Sequence, residues 1–324
     1  LLPIWETTDI TPETLKLSAI ISGLLMLPLL YLCIKQVPDG SCYSEEKSSI
    51  DKSGKPIEAP FKQFSKEVKE VTHNKPLLLF LGGFLFAGSG LGMWLGLVFI
   101  YIDAYLGMGV LFTKIYLISL AVSIPGAFVW LAIAKYLGKK GTWLLAMLLA
   151  MASFAYSGFL GPETAGFWTL LTLVIMNTLS FVCVESLPQS MLSDIVDYAT
   201  WKFRTSRGST YFALYMFTYK AAFAVGGALG LAIAGWYGFD PASTSQTESG
   251  VMGLKLAMTW GPTLLVIIAI IFIALSPITT QRHNIIRRRL DAIETRSKAE
   301  NQHQLDKGAT ELLADRVTPV AYHP

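Results

Sequence analysis

The sequence predicts an all-α membrane protein with seven transmembrane helices. Of its 324 residues, 52% are apolar and only 15% are charged, a composition that is rare among soluble domains of this size. Several apolar runs approach the roughly 20 residues that cross about 30 Å of hydrocarbon. These runs are rich in Leu, Ala and Gly and too long for the strands of an outer-membrane barrel. They lie at about 17–34, 77–102, 115–134, 142–160, 166–189, 211–236 and 256–276.

The positions of Lys and Arg predict the orientation of the helices. Of the 26 Lys and Arg residues, 22 lie in the segments 35–75, 135–141, 198–209 and after 276. The connections that alternate with them, such as "LGPETAG" and "GFDPASTSQTESG", are poor in both residue types. Because basic residues are enriched on the cytoplasmic side, we expect the C-terminus inside the cell and, with seven crossings, Leu1 outside.

A long hydrophilic segment separates the first predicted helix from the six that follow. It contains "PDGSCYSEEKSSIDKSGKP", whose Ser, Lys, Glu and Gly content is typical of a flexible linker. Its end, "PFKQFSKEVKEVTHNKP", suits either a short helix on the inner leaflet or a solvated linker helix. The chain opens on Leu-Leu-Pro without a signal-peptide pattern, so we interpret it as the C-terminal part of a longer membrane protein.

The tail beyond the last apolar run is basic. Its "QRHNIIRRRLDAIETRSK" stretch combines an apolar helical face with arginines that suit anionic lipid. It lacks the interleaved aromatic residues that stack on bases, so we expect membrane lipid as its partner and no nucleic acid. The 3 Cys and 4 His residues show no ligand spacing, so we expect neither a disulfide framework nor a metal site in this part of the protein.

Glycines four residues apart occur in two of the predicted helices. Gly88, Gly92 and Gly96 lie in one helix, and Gly226 and Gly230 in another. This spacing lets helix backbones approach closely. It is compatible with plain helix packing or with a moving hinge.

Two charged residues lie inside apolar runs. Lys220 lies about 15 Å from the start of its helix, near the bilayer midplane, where a lysine costs about 2.5–3.5 kcal/mol. This cost suggests a carboxylate partner, a water-filled cavity, or both. Glu185, ahead of Pro188 in the preceding helix, either pairs with Lys220, faces a cavity, or reaches toward the inner interface.

Charges of both signs follow at the end of the same helix and in the next connection. They suit either a salt-bridge network that closes one state of a moving protein or a solvated loop. Only a network could bias such an equilibrium, because a single exposed ion pair contributes under about 1 kcal/mol. The charged residues are Asp194, Asp197, Lys202, Arg204 and Arg207.

The stretches "PQSMLSDIVDYATWK" and "YFALYMFTYKAAFAVGGALG" together make a specific pattern. Over about 185–295 the sequence resembles the sugar-cation symporters of the glycoside-pentoside-hexuronide family, the melibiose-permease-like branch of the major facilitator superfamily. The stretch "PGAFVWLAIAKYLGKKGTWLLA" is similar to the superfamily's short cytoplasmic connection, here at Gly138, Lys139 and Lys140.

The resemblance implies a twelve-helix transporter of two six-helix bundles, of which this chain would supply helix six and the C-terminal half. It places the chain in a bacterial cytoplasmic (inner) membrane. The coupling cation, sodium or proton, would bind mainly in the N-terminal half, and no other cofactor is expected. The implied domains are 1–35 as the last helix of the N-terminal bundle, 36–75 as the cytoplasmic central loop, 76–276 as the six-helix bundle and 277–324 as a cytoplasmic tail.

The function implied is cation-coupled symport of a sugar, a glycoside or a similar small polar solute by alternating access. The expected cavity residues are Lys220, Glu185, Tyr215 and Asn177. The expected cytoplasmic gate consists of Asp194, Asp197 and Arg207.

The sequence is also compatible with other functions. Glu185 and Lys220 also suit a charged non-sugar solute, and a channel would differ from a transporter in its non-saturating flux. A membrane-embedded enzyme would need paired catalytic groups at one depth, yet no histidine lies in an apolar run, so we expect no enzyme. A purely structural bundle would explain the glycines but not the two charges inside apolar runs.

Overall fold

The computed structural model describes residues 12–36, 74–203, 208–243 and 246–277, together with the isolated positions 285, 288, 289 and 295. Within these residues the chain is helical, with short turns and no strand, which confirms the predicted all-α fold class. Most of the predicted linker and of the tail, the suggested helix near the end of the linker, and Arg207 lie outside the described residues. The domain boundaries stay predictions.

The described ranges contain six helical segments that are long and apolar enough to cross a membrane. Five-residue π-helical turns, Tyr101–Tyr105 and Leu256–Trp260, lie at the ends of two of the helices. The α-helices are α1 (Pro12–Gln36), α2 (Lys75–Ile100), α3 (Gly109–Phe159), α4 (Phe167–Phe203), α5 (Gly208–Trp236), α6 (Glu248–Lys255) and α7 (Gly261–Ala274).

Helix α3 is two helices joined at Gly138. A straight helix of 51 residues would extend about 76 Å at 1.5 Å per residue, more than twice the hydrocarbon thickness. Gly138 has φ 72° and ψ 164°, a backbone conformation open essentially to glycine alone. The arms 109–137 and 139–159 therefore correspond to the third and fourth predicted runs, and the described chain holds the seven crossing segments that the sequence predicts.

The two arms of α3 form a hairpin against α4. In the first arm, the Trp130 indole donates a hydrogen bond to the carbonyl oxygen of Leu179 at 2.9 Å. In the second arm, Ser153 Oγ lies 3.4 Å from Asn177 Nδ2. Both contacts fall at the same level of α4, on either side of the turn at Gly138, so the arms run antiparallel.

The glycine runs of α2 and α5 pack against each other. A Cβ added at Gly92 would overlap the backbone of Phe223, and one added at Gly226 would overlap the backbone of Ser89. At Gly96 an added Cβ would lie 3.3 Å from the Cα of Gly227. The backbones therefore approach so closely that side chains do not fit between them, as the four-residue spacing suggested.

The basic connections meet at one end of the bundle. Lys140 Nζ donates hydrogen bonds to the carbonyl oxygens of Ala274, at 2.9 Å, and Ser276, at 2.7 Å. At the starts of α2 and α5, Asn74 Nδ2 donates to the Tyr211 hydroxyl at 3.1 Å. The alternation of basic and non-basic connections along the sequence thus corresponds to the two ends of the structure.

Helix α1 stands apart from this packing. The side chains described in it are exposed, and they include Leu24 at 66% and Ile34 at 73%. Apolar side chains on a membrane helix need lipid or another helix around them. That α1 belongs to a different bundle stays a prediction.

Candidate functional site

The Glu185 carboxylate is held by a tyrosine on the neighbouring helix. Glu185 lies near the middle of α4, which has 37 residues, and Tyr219 lies near the middle of α5, which has 29 residues. The Tyr219 hydroxyl donates a hydrogen bond to Glu185 Oε1 at 2.7 Å. A phenol bonded to a carboxylate at this distance is a charge-assisted hydrogen bond.

Lys220 approaches the same tyrosine from its ring face. Its Nζ lies 5.5 Å from the centroid of the Tyr219 ring, within the range of a cation–π contact. Glu185 and Lys220, both in the described ranges, do not form an ion pair. Glu185 is half-buried and Lys220 is exposed within this chain. The phenol therefore contacts both charged residues, which do not contact each other.

A row of aromatic rings supports Tyr219. Tyr215, Tyr219 and Phe223 are four residues apart and lie on one face of α5. Ring centroids are 6.5 Å apart for the first pair and 4.8 Å apart for the second. Phe84 of α2 packs on this face, 4.9 Å from Tyr215 and 5.7 Å from Tyr219. Tyr215 is buried in this packing.

A tryptophan lies behind these rings. Trp143, from the second arm of α3, lies 6.2 Å from Phe84 and 5.7 Å from Phe80 between ring centroids. Its side chain is fully buried, and its indole N–H has no hydrogen-bond partner among the described residues. The ring therefore backs the aromatic face and is not itself a surface on which a solute can stack.

Asn177 lies in a different part of α4 from Glu185. Its amide donates to Ser153 at 3.4 Å, and it is buried against the second arm of α3. Eight residues separate it from Glu185, which is about 12 Å along a helix. The structure thus brings Glu185, Tyr215 and Lys220 together around Tyr219 and leaves Asn177 apart from them. The cavity roles of all four predicted residues stay predictions.

The cytoplasmic-gate carboxylates predicted from the sequence have different surroundings. Lys139 Nζ contacts the two carboxylate oxygens of Asp194 at 2.6 Å and 2.8 Å, and it also donates to the Ser190 carbonyl oxygen at 3.3 Å. Asp197 is half-buried and forms no ion pair with the residues that the structure describes. The Asp194 carboxylate therefore ties α4 to the turn of the α3 hairpin.

Comparison with known proteins identifies the family. The family model described as MFS/sugar transport protein matches residues 1–280. The chain belongs to this family. The major facilitator relationship expected from the motifs is thereby confirmed.

The chain is similar to the "Uncharacterized symporter YjmB" of Bacillus subtilis (strain 168). It is 26% identical over 243 residues, which cover 75% of this chain and 52% of the relative. The chain therefore spans about half the length of the curated relative that it matches.

The family and the apolar helices together make this chain an integral membrane protein. In such a protein, a carboxylate and an ammonium in the middle of two helices are costly unless they face water, a partner or a solute. The carboxylate can accept hydrogen bonds from hydroxyl groups, and the ammonium can donate three. Glu185 and Lys220 can therefore form hydrogen bonds or ion pairs with polar groups that reach them.

Two residues of this MFS/sugar transport chain were not predicted as site members. Tyr219 was missed, although its spacing from Tyr215 and Phe223 in "YMFTYKAAF" marks one helical face. Lys139 was placed only in a connection, because nothing in its local sequence specifies Asp194, 55 residues away, as its partner.

Proposed function

We propose that this chain is part of a secondary active transporter that moves a small polar solute across a bacterial cytoplasmic membrane by alternating access. The observation that carries the proposal is the arrangement of Glu185 and Lys220 on either side of Tyr219. The arrangement lies near the middle of two long helices in a chain of the MFS/sugar transport family. The basic end of the bundle and the C-terminus would face the cytoplasm.

A sugar or glycoside is the solute class that the site supports best. Carboxylates accept hydrogen bonds from sugar hydroxyls, and Glu185 Oε1 already has a fixed donor in Tyr219, so Oε2 remains to accept from a solute. Lys220 supplies further donors. The family description, MFS/sugar transport protein, supports the same class.

Coupling to a cation, sodium or proton, is the second part of the proposal. The relative from Bacillus subtilis is named a symporter, which supports cotransport here. Among the described residues no group of three or more His, Cys, Asp and Glu side chains is placed to hold a metal ion. By its resemblance to the sugar-cation symporters, the full transporter would bind the cation mainly in its N-terminal half.

The Lys139–Asp194 pair supports a role in closing the cytoplasmic end. It fixes the α3 hairpin to α4 beside the turn at Gly138. A pair of this kind stabilises the state in which it is formed, and a solute-bound state in which it is broken would be less populated.

An anionic non-sugar solute is the alternative that a specific observation favours. Lys220 has no carboxylate in contact among the described residues, so its charge is available to an anion. A solute carboxylate or phosphate would compensate that charge within the membrane.

Transport into proteoliposomes tests the proposal. The full-length protein would be reconstituted with an imposed sodium or proton gradient, and uptake of labelled neutral sugars, glycosides and organic anions would be followed. The proposal predicts saturable uptake above the external concentration, which an ionophore abolishes. Flux that increases linearly with solute and stops at equal concentrations would instead indicate a channel. The preferred solute decides between sugar and anion.

A further inference from the structure

We propose that Tyr219 is a positioning residue that holds the Glu185 carboxylate away from the Lys220 ammonium, so that each charge is kept for the solute. This role rests on the proposed transport function. It adds Tyr219 to the site as a residue that acts on the solute only through Glu185. The two charged groups are brought to the same phenol, yet they do not pair with each other.

The position of the phenol is fixed by its neighbours. Phe84 packs at 5.7 Å from the Tyr219 ring and Phe223 at 4.8 Å. Tyr215 lies one helical turn before it, at 6.5 Å with an interplanar angle of 28°. With the ring held in this way, its hydroxyl points to α4 and its face remains open to Lys220. Neither contact of Tyr219 depends on a solute.

The hydrogen bond to Glu185 also crosses between two groups of helices. Helix α4 packs mainly on the α3 hairpin, whereas α5 packs mainly on α2, and α4 and α5 touch only sparsely. Tyr219 is therefore anchored in the group formed by α2 and α5, and Glu185 in the group formed by α4 and the α3 hairpin. The bond sets where the carboxylate lies relative to the face of α5 that carries Lys220.

Removal of the hydroxyl would release the carboxylate toward the ammonium. Opposite charges attract strongly in a medium of low dielectric constant, and both side chains already reach the same ring. In a direct ion pair, the Glu185 carboxylate and the Lys220 ammonium would bind each other. Neither group would then be available to bind the solute. Tyr219→Phe removes only the hydroxyl group. It keeps the ring that contacts Lys220 and the neighbouring aromatic side chains.

Chemical labelling of Lys220 tests this without any solute. The purified full-length protein would be treated with an amine-acetylating reagent, and acetylation of the Lys220 peptide would be measured by mass spectrometry against the Lys114 peptide in the same sample. Because an amine paired with a carboxylate stays protonated, Tyr219→Phe should label at least about fivefold more slowly than the native protein. Tyr116→Phe, which loses a phenol hydroxyl elsewhere, should label as the native protein does.

The double variant Tyr219→Phe with Glu185→Gln separates positioning from a general structural role. A neutral amide does not hold the ammonium protonated, so labelling should return to the native rate. Native-rate labelling in Tyr219→Phe alone, or slow labelling that Glu185→Gln does not restore, would overturn the proposal. If Tyr219→Phe fails to fold, Glu185→Gln alone is measured: labelling that rises by less than about fivefold supports the separation of the charges. A larger rise, which direct pairing in the native protein would give, overturns it.

Uptake measurements then connect the role to transport. Tyr219→Phe should raise KM about tenfold with a smaller change in kcat, since the acceptor and the cation are withdrawn from the bound solute. A native KM in a variant that labels slowly would overturn the functional part of the inference. If the native protein transports none of the solutes, the proposed function fails, while the labelling result still decides whether Tyr219 separates the charges.

Discussion

Lys139 and Asp194 form a forked contact in which one ammonium reaches both carboxylate oxygens, at 2.6 Å and 2.8 Å. The side chain of Asp194 is 11% exposed and that of Lys139 is 33% exposed. The pair is therefore less accessible to water than a salt bridge between fully exposed side chains. It ties the turn of the α3 hairpin to α4.

Asp194→Asn should lower the free energy of unfolding by about 1–3 kcal/mol, because it removes a charged hydrogen-bond acceptor from a mostly buried position. Asp197→Asn, which breaks no ion pair with a described residue, should change it by less than about 0.5 kcal/mol. Denaturation of the purified protein in detergent measures both. Lys139→Met should cost less in the Asp194→Asn protein than in the native one, and equal costs would show that the two residues are not coupled.

Gly226→Ala should destabilise the protein by about 1–3 kcal/mol or more, since the added methyl group overlaps the backbone of Ser89 on α2. Gly235→Ala is the matched control on the same helix, because nothing lies within 4 Å of the Cβ that it adds. Alanine favours the helix over glycine by up to about 1 kcal/mol, so this control should be neutral or stabilising. Melting temperatures in detergent would compare the two, and similar losses would refute the close approach of α2 and α5.

Gly138→Ala should lower the free energy of unfolding by about 1–3 kcal/mol, because φ 72° with ψ 164° is strained for a residue with a Cβ. The same change at Gly235, which lies inside a helix, serves as the comparison. Unfolding in detergent is again the measurement. A Gly138→Ala protein as stable as the native one would mean that the hairpin does not turn at this residue.

Much of the fold could be predicted because the thickness of the bilayer's hydrocarbon core sets the length of a transmembrane helix. The third and fourth runs correspond to the two arms of α3, and the connection between them falls at Gly138 as expected. Helix ends were predicted less well. Helix α4 continues to Phe203, well past the end of its apolar run at 189, because polarity marks where a helix leaves the membrane and not where its backbone stops being helical.

The contacts between helices were less accessible to prediction. Lys220 and Glu185 stand out in the sequence because a charged side chain in an apolar run costs free energy in a membrane. This cost does not identify the neighbouring residue that stabilises the charge. Direct pairing was one expectation, and the structure places Tyr219 between them instead. Partners such as Lys139 and Asp194 arise from how helices pack in space, which a pattern of hydrophobicity along one chain does not encode.

In the proposed mechanism Lys220 acts on the transported solute, and solute accumulation by a Lys220→Leu variant measures this role. The full-length protein and this variant would be compared in energised vesicles at equal membrane content, with Lys114→Gln as the control for loss of a lysine near a helix end. We predict that Lys220→Leu inserts normally and accumulates no solute, while Lys114→Gln accumulates it as the native protein does. Native accumulation by Lys220→Leu would show that Lys220 does not act on the solute.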